Sequence, residues 1–273
     1  MSRFAACFAE LRAGKRSALV PYVVAGDPSK SATVPLMHAL VKSGADILEL
    51  GVPFSDPSAD GPVIQAAQER ALAAGTTLRD VLAMVKEFRA ADPGTPVVLM
   101  GYLNPVEAFG PEAFAKAAEE AGVDGVLTVD MPPEEAEPLG GYLRGRGIDP
   151  IFLLAPTTDD ARIRRITETA SGFAYYVSLK GVTGAAHLDL GPVRERLARL
   201  RGLTSLPVGV GFGVRDAATA AALGQVADAV VVGSAVVSRM TEHREDPVRM
   251  TASVQEFVQG LRHAMDAARS TGA

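Results

Sequence analysis

Tryptophan is absent from this chain of 273 residues, and cysteine occurs once. The lone Cys7 can close no internal disulfide and cannot supply the cysteine clusters of structural zinc sites, which fits a reducing cytoplasm. Positive charge is also scarce. With 27 Lys and Arg against 32 Asp and Glu the net charge is -5, which argues against nucleic acid or an anionic membrane as partner, since both need a clustered basic face. The densest basic runs, 162–165 and 194–201, alternate with apolar residues as solvated helix faces do. There is no signal-peptide core at the N-terminus and no apolar run long enough to span a bilayer, so a cytoplasmic location is expected. The histidines, His38, His187, His243 and His263, have no metal-site spacing. No lysine lies inside an expected strand, and Lys180 opens a glycine loop, so a Schiff-base mechanism lacks its nucleophile. Neither GxxxxGK[ST] nor a strand-linked GxGxxG occurs.

The chain does contain one repeated pattern: a short run of Val, Ile and Leu, a loop with Gly, Pro or Asp, then an Ala-rich amphipathic helix. Strands are expected at 18–25, 46–51, 96–102, 124–129, 150–154, 173–179, 207–211 and 228–233. Helices are expected at 3–13, 31–43, 62–91 (split at Gly75), 111–121, 159–170, 192–201, 216–223 and from about 247 onward. Gly44, Gly75, Gly122 and Gly224 stand where left-handed helix ends are expected. Continuously apolar strands alternating with helices indicate a parallel sheet covered on both faces. Eight such units match a (β/α)₈ TIM barrel of α/β class, with an extra N-terminal helix; a doubly wound open sheet is the rival. No composition break or linker interrupts the chain, so 1–273 is expected to form a single domain.

In a barrel, function sits at the C-terminal ends of the strands. Glu49 and "PFSDPSADGP" then follow strand 2, Tyr102 and Asn104 follow strand 3, and Asp130 follows strand 4. Tyr175 lies in strand 6, and the glycine pairs of "GVTG", "GFG" and "GS" follow strands 6, 7 and 8. Backbone amides at such glycines can approach a phosphate, and a helix start adds favourable partial charge. Glu49 shares the inward strand face with Ile47 and Gly51, where burial would raise its pKa and suit it to proton transfer; a buried carboxylate satisfied by an Arg or by backbone amides is the alternative. Asp60 can face the same substrate. Asp56 and Asp130 read as turn formers or surface contacts. Carboxylate acid/base chemistry on a phosphorylated small molecule, with no cofactor, is what remains.

"ELGVPFSDPSADGP", with "PYVVAGDP", "MGYLNP", "GVTG", "GFG" and "VVGSAVV" in this order, resembles the tryptophan synthase alpha subunit family over nearly the whole chain. The resemblance implies retro-aldol cleavage of indole-3-glycerol phosphate, with Glu49, Asp60 and Tyr175 as catalytic residues. It places Tyr22 and Tyr102 near the indole and Thr183, Gly184, Phe212, Gly213, Gly233 and Ser234 around the substrate, Thr183 closing over Asp60. It also implies a pyridoxal-phosphate beta subunit as partner in an alpha2beta2 complex, contacted through Pro53, Asp56 and Asn104, with no pyridoxal phosphate in this chain. Where many members carry an Arg before loop 6 this chain has Leu179, with Lys180 one place later, and Ser58 replaces a usual Leu beside Asp60. A stand-alone lyase releasing free indole is the competing reading, together with a chain whose role is to activate its partner and another phosphate-binding barrel enzyme.

Overall fold

A computed structural model describes residues 2–177, 190–211 and 213–270. Its strands are β1 (Ala18–Val24), β2 (Leu48–Gly51), β3 (Val97–Gly101), β4 (Gly125–Thr128), β5 (Asp149–Ile151), β6 (Leu153–Leu154), β7 (Ala174–Val177), β8 (Val208–Gly211) and β9 (Ala229–Val232). All pairings are parallel, in the order β5-β4-β3-β2-β1-β9-β8-β7-β6. β5 and β6 are the two halves of the expected fifth strand, parted at Phe152. One half pairs with β4 and the other with β7, which closes the TIM barrel.

Side-chain alternation divides the core in two. Leu48 and Leu50 face the surrounding helices, whereas Ile47 joins Val98, Leu127, Ile151 and Phe173 inside the barrel. The expected extra helix, α1 (Arg3–Ala13), supplies Phe4, Phe8 and Leu11 to that interior cluster and so plugs the N-terminal mouth. Phe4 is fully buried and meets Phe173 edge-on, with ring centroids 5.7 Å apart.

The helical layer follows as α2 (Lys30–Lys42), α3 (Pro62–Ala73), α4 (Leu78–Arg89), α5 (Leu103–Phe109), α6 (Pro111–Ala121), α7 (Glu137–Arg144), α8 (Asp160–Thr169), α9 (Gly191–Arg201), α10 (Ala217–Gly224), α11 (Ser234–Glu242) and α12 (Pro247–Ser270). The break between α3 and α4 falls at Gly75, with φ of 71°, after which Thr77 and Asp80 form a capping box. Gly44 and Gly122 also take positive φ. Gly224 does not: it is the last residue of α10, where an added Cβ would come within 3.3 Å of Met265, so close packing on α12 accounts for it. α11 extends for nine residues what the sequence marked only as a helix start at Ser234, and α5 and α7 were not expected. α5 is seven residues long, too short to show a period, and α7 carries Gly140 and Gly141 in its middle. Among the described residues no helix is long and apolar enough to cross a membrane.

Candidate active site

Carboxylates at the bottom of the barrel show how this fold satisfies an acid that precedes a strand. Asp46, Asp124 and Asp228 each precede a strand and accept the amide of a neighbouring one, from Leu19 at 2.8 Å, Val97 at 2.8 Å and Val208 at 2.9 Å. Each is also paired with an arginine: Arg262 with Asp46, Arg89 with Asp124 and Arg201 with Asp228.

Glu49, in β2 between Tyr22 and Val98 of the flanking strands, is treated differently. It is 1 % exposed, and its Oε1 is buried with no hydrogen-bond partner among the described residues. Burial, and then repulsion from Asp60, push its carboxyl up to about 8. At neutral pH it therefore holds a proton that it can give away.

Asp60 sits in the loop after β2, just before Gly61 caps α3. Its Oδ2 accepts from the Tyr102 hydroxyl at 2.9 Å and from Gln68 Nε2 at 2.7 Å. Burial raises its pKa while these two bonds oppose the rise. The Tyr102 hydroxyl in turn accepts from the Ala59 amide at 2.9 Å, so the residue that follows β3 and caps α5 is tied to the loop after β2 at Asp60. Tyr22 and Tyr175 complete the wall, and burial lifts both phenols well above their ordinary value, with Glu49 and Asp60 adding to the rise. Each tyrosine lies over a glycine: a Cβ on Gly51 would overlap the Tyr22 hydroxyl, and one on Gly211 the Tyr175 hydroxyl. Gly211, read from sequence as part of a phosphate loop, ends β8 and makes room for Tyr175.

The structure thus brings Glu49, Asp60, Tyr22, Tyr102 and Tyr175 to one end of the barrel. Gly213, with φ of 77°, follows β8 there, and Gly233 and Ser234 follow β9 and open α11. Asp56 and Asn104 are exposed, whereas Pro53 is buried, packed within its loop rather than presented outward. Asp130 is not a simple turn former; its Oδ1 accepts the Leu103 amide at the start of α5, at 2.9 Å. Thr183, Gly184 and Phe212, and with them Leu179 and Lys180, lie outside the described residues. Sequence reasoning missed Gln68. Its signal was a polar residue among the buried positions of α3, which are otherwise Ile64, Ala67 and Ala71.

A family model described as tryptophan synthase alpha chain matches residues 8–266. The chain belongs to that family. A tryptophan synthase alpha chain of Thioalkalivibrio sulfidiphilus is 64 % identical over 97 % of this chain and 100 % of its own length. That of Burkholderia thailandensis is 57 % identical over the full length of both. Among solved structures, the tryptophan synthase subunit alpha of Legionella pneumophila superposes with a TM-score of 0.91 at 43 % identity, covering 98 % of this chain and 99 % of that one. A tryptophan synthase structure from M. tuberculosis, in its aminoacrylate-bound form, superposes at 0.84 with 39 % identity, covering 96 % of this chain and 100 % of that one. The tryptophan synthase alpha family and the barrel read from strand count are therefore one answer, reached from two sides.

Proposed function

We propose that this member of the tryptophan synthase alpha family, a carbon–carbon lyase, splits indole-3-glycerol phosphate into indole and glyceraldehyde 3-phosphate. The observation that carries the reading is Glu49: a buried carboxyl whose Oε1 has no hydrogen-bond partner among the described residues, with its pKa raised to about 8 beside a second carboxylate. Cleavage at indole C3 needs that carbon protonated first, and Glu49 is the acid for it. Protonation puts positive charge on the indole nitrogen, where ionised Asp60 stabilises it. As the carbon–carbon bond breaks, its electron pair restores the indole ring. Glu49, now a carboxylate, takes the proton of the glycerol hydroxyl as the aldehyde forms, which returns it to its starting state. Tyr175 positions the substrate and Glu49, and Tyr22 and Tyr102 flank the ring. Gly184, Gly213, Gly233 and Ser234 hold the phosphate, helped by the start of α11. Phe212 lines the substrate, and Thr183 closes over Asp60.

The same reading makes Asp56 and Asn104 part of a surface for a beta subunit, with Pro53 stiffening the loop behind it. Pyridoxal phosphate belongs to that partner and not to this chain, whose residues 1–273 work as one domain in the cytoplasm. Indole release from indole-3-glycerol phosphate, measured alone and with a tryptophan synthase beta subunit, tests the proposal. Slow release that rises with the partner, and falls at least about a hundredfold in Glu49→Gln, is expected. Fast release indifferent to the partner would favour a stand-alone lyase, and a fully active Glu49→Gln would remove Glu49 from the chemistry.

A further inference from the structure

Gln68 is 3 % exposed, and a buried primary amide needs partners at both ends. Its Oε1 accepts the Phe54 amide at 3.0 Å. A backbone N–H can only donate, so this bond fixes which way the amide lies and leaves Nε2 to face Asp60. Nε2 donates to Asp60 Oδ2 at 2.7 Å, the oxygen that the Tyr102 hydroxyl also meets. Among the described residues both donors converge on Oδ2, and Oδ1 remains for an incoming group. Two bonds on one oxygen, from α3 and from the residue that caps α5, set the carboxylate's position and its rotation.

We propose that Gln68 is a positioning residue for the lyase reaction, holding the Asp60 carboxylate against the loop after β2 so that Oδ1 meets the indole nitrogen. This rests on the role given to Asp60 above. The bond to Phe54 anchors the loop, whereas the bond to Asp60 acts on the carboxylate itself. The bond to Asp60 is charge-assisted, and losing it frees the carboxylate to rotate and favours its protonated form.

The test compares Gln68→Met, close in volume and without donors, with the parent, with Asp60→Asn and with the double variant. Expected for Gln68→Met is a fall in kcat of about 10- to 100-fold with KM changed less than about threefold, and an acid limb of the kcat profile displaced to higher pH. The double variant should be no slower than Asp60→Asn alone, because Gln68 acts through Asp60. If Gln68→Met fails to fold, Gln68→Glu carries the comparison; it keeps the shape but sets a second carboxylate against Asp60, and the same displacement of the acid limb is expected. An unchanged kcat and pH profile with only a lower Tm would overturn the proposal while leaving Asp60 its role, as would losses that simply multiply in the double variant. A fully active Asp60→Asn would overturn both.

Discussion

Two kinds of barrel carboxyl coexist at the residue scale, separated by what surrounds them. Asp46, Asp124 and Asp228 meet amides and guanidinium groups, whereas Glu49 meets tyrosine rings and another acid. A carboxyl whose folded pKa is raised, to about 8 here, stabilises the fold relative to the unfolded chain while it stays protonated. That contribution is complete below the unfolded value of 4.5 and is lost as pH climbs through 8. Glu49→Gln, which cannot ionise, should therefore melt close to the parent near pH 5 and above it near pH 9, by an amount on the order of a few kcal/mol, measurable by urea denaturation at the two pH values. Parent activity should fall across the same alkaline range as the proton donor is lost, and at low pH as Asp60 is protonated. The position of Glu49 could be read from strand alternation, because Ile47 inward implies Glu49 inward. That its Oε1 finds no partner among the described residues could not, since the neighbours come from strands far along the chain.

At the scale of elements, strands were legible because each is short, apolar and bounded by turn residues. Helices were legible only where their period ran long enough. α5 hides in a loop that reads as site, and α7 is masked by paired glycines. Gly211 shows the remaining ambiguity: glycine after a strand signals a phosphate loop or a close approach, and only the ring of Tyr175 decides between them. Gly211→Ala is expected to cost about 1–3 kcal/mol in chemical denaturation, because the added methyl overlaps the Tyr175 ring and hydroxyl. Tyr175→Phe in the same chain should recover part of that loss. Full parent stability in Gly211→Ala alone would mean that Tyr175 moves aside without cost.

For the whole molecule, the barrel and its plug act together. α1 plugs the N-terminal mouth, yet Phe4 packs under Phe173, whose ring centroid lies 6.4 Å from that of Tyr175. Phe4→Ala should lower stability by about 3–5 kcal/mol in chemical denaturation, with kcat little changed at temperatures where the barrel stays folded. A large loss of kcat without a loss of stability would instead make the plug part of the active site. The barrel itself was legible from a count of alternating units, and the extra helix from its own apolar spacing. That the helix seals the bottom was not, because plugging a barrel leaves no mark on the helix beyond ordinary amphipathicity.

The break at Phe152 lets one stretch of chain serve as the last strand on one side of the sheet and the first on the other. Strands as apolar as these would, in an open sheet, offer a row of unpaired amides and carbonyls to any passing copy. Among the described strands, closure leaves no such row. No template for self-association through the sheet is left among them, and the danger belongs to the interval during folding before residues 149–154 have engaged both neighbours.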